Sequence, residues 1–75
     1  MNAQQKKILL DIIELIREAV REAGPLGLPE GTMYSILMAQ GCTINQFENI
    51  IALMVRTGAI HKQVHLLTVP ELRAA

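Results

Sequence analysis

Residues 43–69, TINQFENIIALMVRTGAIHKQVHLLTV, hold an amphipathic helix, a glycine stop and two short β-prone runs that almost touch. Thr43 suits the helix start, since its hydroxyl can accept a bond from an orphan backbone N–H of the first turn. Projected at about 100° per residue, Ile44, Phe47, Ile50, Ile51, Met54 and Val55 fall within about 140° and are expected to face a core. Gly58 fits the left-handed position that follows a helix end. The runs 59–62 and 64–69 leave room only for a tight hairpin turn, with Lys62 and Gln63 at its tip.

Toward the N-terminus, periodicity predicts a first helix from about Gln4 to Ala23, stopped by Gly24-Pro25. Its apolar residues form a stripe about 160° wide, broader than the roughly 100° a surface helix needs. Leu10 lies off the stripe, amid polar residues. Leu9, Ile12, Ile16, Ala19 and Ala23 follow a heptad-like spacing. The opposite face offers Lys7/Asp11, Glu14/Arg17 and Glu18/Arg21 as surface pairs. An excess of apolar surface on so small a chain points to a homodimer seam through this helix, with Leu9, Ile12, Leu15, Ile16 and Ala19 as its residues.

Between the helices, residues 24–31 (GPLGLPEG) read as an internal loop in which Leu26 and Leu28 alternate and could add a minimal third strand. A short second helix is expected from about Pro29 or Glu30 to Gln40, and Pro29 fits a first helical position. Met33, Tyr34, Leu37 and Met38 share a face and are expected to pack inward. Gly41-Cys42-Thr43 is then the turn into the third helix, with Cys42 as a small buried hydrophobe. The predicted order is helix, strand, helix, turn, helix, strand, strand, mainly α with a small antiparallel hairpin.

That order is the pattern of a winged helix-turn-helix. Residues 42–51 (CTINQFENII), followed by Gly58-Ala59-Ile60, resemble the turn, recognition helix and wing entry of MarR-like winged-helix regulators. There a turn glycine precedes a buried apolar residue and a Ser/Thr cap, and the helix closes with Gly and two apolar residues. Residues 65–71 (HLLTVPE) are similar to the strand that leaves the wing, so the likeness covers about two-thirds of the chain. It implies a third helix presented to a partner, most often DNA. Three departures weigh against DNA. The wing is nearly absent, Leu53 stands where a basic residue is common, and Glu48 lies near the exposed face and would repel phosphate.

Composition sets the bounds. At 75 residues the chain is read as one domain, 1–75, near the lower limit for an unaided core. Hydrophobic residues make up 51%, which excludes a disordered tail. No apolar run nears the roughly 18 residues needed to cross a bilayer, so no membrane partner is expected. The N-terminus, MNAQQKK, is polar, and one cysteine cannot form an internal disulfide; both suit a reducing cytoplasm. Seven basic residues balance seven acidic ones, leaving no bulk positive charge for non-specific nucleic-acid binding.

Chemistry can be sought in few places. No glycine pattern cradles phosphate, and no Ser stands near a His in a nucleophile motif. His61, His65 and Cys42 do not form a spaced ligand set, so neither metal nor cofactor is expected. The outward side of the third helix shows Asn45, Gln46 and Asn49, whose amides can pair with adenine edges, and Arg56, which can reach phosphate or guanine. Lys62, with Lys6 or Lys7, would add phosphate contacts. The expectation is a non-enzymatic winged-helix protein that binds double-stranded DNA as a homodimer, a transcriptional regulator or accessory factor. The alternative is a protein-interaction module without DNA affinity, docking a partner on its Leu53 side.

Overall fold

The computed structural model describes residues 2–70. In chain order these form α1 (Ala3–Ala23), β1 (Leu28–Pro29), α2 (Glu30–Met38), α3 (Ile44–Arg56), β2 (His61–Gln63) and β3 (Leu66–Thr68). The strands make one antiparallel sheet in the order β1-β3-β2. Three helices with this small sheet are compatible with a winged-helix layout. Glu71, which ends the run likened to the strand leaving the wing, lies outside the described residues.

Local chemistry explains where the helices begin. α1 and α3 start with the same device, a capping box in which the N-cap side chain and a glutamine three residues on satisfy each other's backbone N–H groups. In α1 the pair is Asn2 and Gln5; in α3 it is Thr43 and Gln46. α2 has no side-chain cap. Pro29 belongs to β1 rather than to the first helical turn, and the Glu30 N–H donates to the His65 carbonyl at 2.7 Å. The start of α2 is thereby tied to the hairpin.

The core gathers Ile16 and Val20 of α1, Met33 and Leu37 of α2, and Phe47, Ile50, Ile51 and Met54 of α3. Ile60, Leu67 and Val69 close it from the sheet side. At about 25 cal/mol per Å² of apolar area removed from water, each of these fully enclosed side chains contributes roughly 1.5–3 kcal/mol. The core face of α3 is narrower than its apolar face: Ile44 and Val55, at the edges of the stripe, are exposed. Met38, expected inside, is also exposed, because α2 ends at that residue and turns through Ala39 to Gly41. Of the wide α1 stripe only Ile16 and Val20 are buried, while Leu9, Ile12, Ile13, Leu15 and Ala19 pack partly against the core.

The hairpin differs from expectation by two residues. Lys62 and Gln63 lie in β2, opposite Leu67 and Leu66, and the two-residue loop is Val64-His65. Burial decides this register: Leu67 and Val69 must both point inward, and a slip of one residue would turn them out. Val64 consequently sits at the first loop position with φ 58°, where a β-branched residue is rarely found.

Candidate interaction surface

The packing of α3 sets which of its side chains face outward. With Phe47, Ile50, Ile51 and Met54 turned inward, Asn45, Asn49, Ala52 and Arg56 fall at spacings of four, three and four residues and form one exposed stripe. The helix is pinned at both ends. The Thr43 capping box holds its start; at its end the Ala59 N–H donates to the Met54 carbonyl at 2.9 Å, and Gly58 turns with φ 83°.

Of the five candidate DNA contacts, Asn45, Asn49 and Arg56 lie on that stripe, Gln46 beside it, and Lys62 on β2. Arg56 and Lys62 come together at a cleft of about 550 Å³ between α2, α3 and β2, whose floor includes Tyr34 and Phe47. Those two rings lie 5.3 Å apart at an interplanar angle of 49°. The same cleft is lined by Glu30 and Glu48, and Lys62 Nζ is 3.0 Å from Glu30 Oε2. Two carboxylates therefore stand beside the two cations, and one of the cations is already paired.

Gln46 and Asn49 border a second cavity. They line a groove of about 610 Å³ together with Leu9, Ile12 and Leu15 of α1. Gln46 is partly committed there, because its Oε1 accepts from the Thr43 N–H at 2.9 Å and folds the side chain back on the helix start. Asn45 is exposed and lines neither cavity. Two of the residues expected to read bases, Gln46 and Asn49, thus meet three of those expected to pair two copies, Leu9, Ile12 and Leu15, in one groove. Ile16 is fully buried within its own chain, and Ala19 is partly buried against the core. Leu53, on the same side of α3 as Gln46, is half-buried.

Neither a family model, nor a curated protein, nor a solved structure matches this chain.

Elsewhere α1 carries two local ion pairs. Lys7 meets Asp11 at 3.1 Å and Arg21 meets Glu18 at 3.6 Å, both exposed and each contributing little to stability. Arg17 Nε is buried without a hydrogen-bond partner. Among the described residues no cluster of three metal-ligating side chains occurs, and no helix is long and apolar enough to cross a membrane.

Two features of this surface were missed by reading the sequence. The Lys62–Glu30 pair joins residues from different elements, and no local spacing signals it. The second is Ile8, which lines the groove while 52% exposed. The breadth of the α1 stripe was the available signal, since a stripe wider than the core can cover must leave one edge in solvent.

Proposed function

We propose that this chain is a non-enzymatic interaction module on a winged-helix framework, whose partner is a protein surface. One observation carries the reading: Arg56 and Lys62, the cations expected to hold phosphate, share their cleft with Glu30 and Glu48, and Lys62 is bound to Glu30. Affinity for duplex DNA comes largely from counterions released as free lysines and arginines neutralise phosphates. A cleft with equal numbers of cations and carboxylates supplies little of that term. Apolar surface is the more abundant resource, with Ile8, Leu10, Met38 and Ile44 each around half exposed. In the cytoplasm the single thiol would stay reduced and play no covalent part.

A second reading is favoured by one specific feature, the exposed stripe of Asn45, Asn49 and Arg56 on α3. In it the chain is a MarR-like transcriptional regulator or accessory factor, a homodimer that presents this stripe to the major groove. Selection from random duplex pools at about 50 mM salt, where phosphate-driven affinity is greatest, separates the two. The interaction reading expects no enriched sequence while circular dichroism shows the protein folded. An enriched sequence whose retention is lost on Asn49→Ala overturns it and establishes the DNA reading.

A further inference from the structure

We infer that Glu30 is a latch that couples the cleft between α2, α3 and β2 to the conformation of the hairpin tip. The latch belongs to the free chain; only its use by a partner rests on the interaction-module reading.

Glu30 holds the tip in two places. Its backbone N–H donates to the His65 carbonyl at 2.7 Å, and its Oε2 lies 3.0 Å from Lys62 Nζ. Both side chains of that ion pair are partly enclosed. Lys62 and His65 stand on either side of the tip, with Gln63 and Val64 between them. One residue, the first of α2, therefore clasps the segment that contains Val64 at φ 58°.

The tip has a less strained alternative. Opening the Gln63–Leu66 pair would leave a four-residue loop, 63–66, closed by Lys62 opposite Leu67. Loops of that length are most often built around a type I turn, whose central residues, here Val64 and His65, both take negative φ. A left-handed valine is disfavoured by roughly five- to thirtyfold, so relaxing it favours the open form. On the β1 side Leu66 is opposite Pro29, which has no N–H to donate. Opening is opposed by the Gln63–Leu66 pair and by the two ties to Glu30. A partly exposed ion pair shifts such a balance by up to about fivefold, comparable with the lower end of the strain it opposes.

The two faces of the sheet connect through this choice. Side chains alternate along a strand, so Lys62 lies on the face of buried Leu67, and Gln63 and Leu66 lie on the other. Lys62 borders the cleft with Glu30, Glu48 and Arg56. Gln63, Val64 and Leu66 border a hollow of about 320 Å³ together with Pro25, Leu26 and Thr68. Opening the tip would move three of the six residues that line this hollow. A partner group in the cleft that bonds Lys62 or Glu30 competes for the latch. Cleft occupancy and tip conformation are then linked in both directions.

Hydrogen exchange of the full chain, followed by NMR and corrected for intrinsic rates, tests the latch at the residue 30 amide. Glu30→Gln and Lys62→Gln should each speed exchange there about two- to fivefold. The Ala59 amide, bonded to the Met54 carbonyl at the end of α3, should keep its rate and so report an intact fold. Glu48→Gln removes the other carboxylate of the cleft and should leave residue 30 unchanged. Adding Val64→Gly to Glu30→Gln should restore slow exchange, because glycine removes the strain that drives opening. In the unmodified protein Val64 should show the strong intraresidue Overhauser effect between its amide and Hα protons that marks a positive φ. Equal effects of Glu30→Gln and Glu48→Gln, matching acceleration at Ala59, no recovery with Val64→Gly, or a Val64 without that signal would each overturn the inference. All of these are read without a partner, so their failure is distinct from failure of the interaction reading, which the duplex selection tests.

Discussion

Replacing Val64 with glycine should make this protein more stable, although the change removes an apolar side chain. Val64 has φ 58° at the first position of the two-residue hairpin loop and is 77% exposed. A left-handed conformation costs an L-residue about 1–2 kcal/mol, because Cβ crowds the following carbonyl oxygen. Glycine carries no such cost, but the more flexible unfolded chain takes back about 0.4–1 kcal/mol. Little packing is lost at so exposed a site, so the net gain is roughly 0.5–1 kcal/mol. For a domain of this size 1 kcal/mol moves the midpoint by about 4–8 °C, so Val64→Gly should raise Tm by about 2–8 °C. Thermal denaturation followed by far-ultraviolet circular dichroism reads this directly. Val64→Ala keeps the Cβ and should stay within about 0.5 kcal/mol of the parent. A Val64→Gly midpoint no higher than that of Val64→Ala would show that the loop carries no such strain.

Three further outcomes follow from the packing. Gly27→Ala should destabilise by about 2–4 kcal/mol, since its φ is 89° and a Cβ there would lie 3.1 Å from Leu66 Cβ and 3.3 Å from the Leu67 carbonyl oxygen, both on the central strand; urea denaturation measures it. Thr43→Ala removes the α3 cap and should cost about 1 kcal/mol, visible as a lower denaturation midpoint with an unchanged m-value. Phe47→Ala opens the centre of the core at a cost of about 3–5 kcal/mol. Because a chain this short has a total stability of the order of 5 kcal/mol, that variant should give dispersed amide resonances only at low temperature or not at all.

How far the fold could be read depended on whether the deciding contacts were local. Helix positions followed from caps and periodicity, because Thr43, Gly58 and the 3.6-residue repeat act within one or two turns. The minimal strand at Leu28 was legible from alternation alone. The hairpin tip was not, because its register depends on burying Leu67 and Val69 under α1, a contact no run of six residues contains. Stripe edges failed for the same reason. Periodicity marks Ile44, Val55 and Met38 as apolar-faced, but the area the rest of the chain can cover decides which of them are enclosed. The candidate site was legible only as a set of residue types. Amides and cations on one helix suggested a single reading face; Asn45, Asn49 and Arg56 do share one stripe, but Arg56 borders the acidic cleft whereas Gln46 and Asn49 border the apolar groove.

That division links the two functional readings. Asn49 cannot both face the edge of a base pair and lie beneath the α1 of a second copy, because it lines one groove with Leu9, Ile12 and Leu15, three residues of the expected homodimer seam. A dimer formed through this groove therefore leaves Asn45 and Arg56 as the exposed polar residues of the α3 stripe, with Glu48 nearby on the same helix. Asn45 and Arg56 are eleven residues apart, about 16 Å along a helix, so they could touch a duplex only at separated points. Base reading by adjacent amides needs Asn45 and Asn49 together, hence a monomer or a dimer paired elsewhere. If a selected duplex binds this chain and copies pair through that seam, raising protein concentration should weaken retention per chain rather than strengthen it. The opposite trend, tighter retention as copies pair, would place the dimer contact outside the groove and return Asn49 to the reading face.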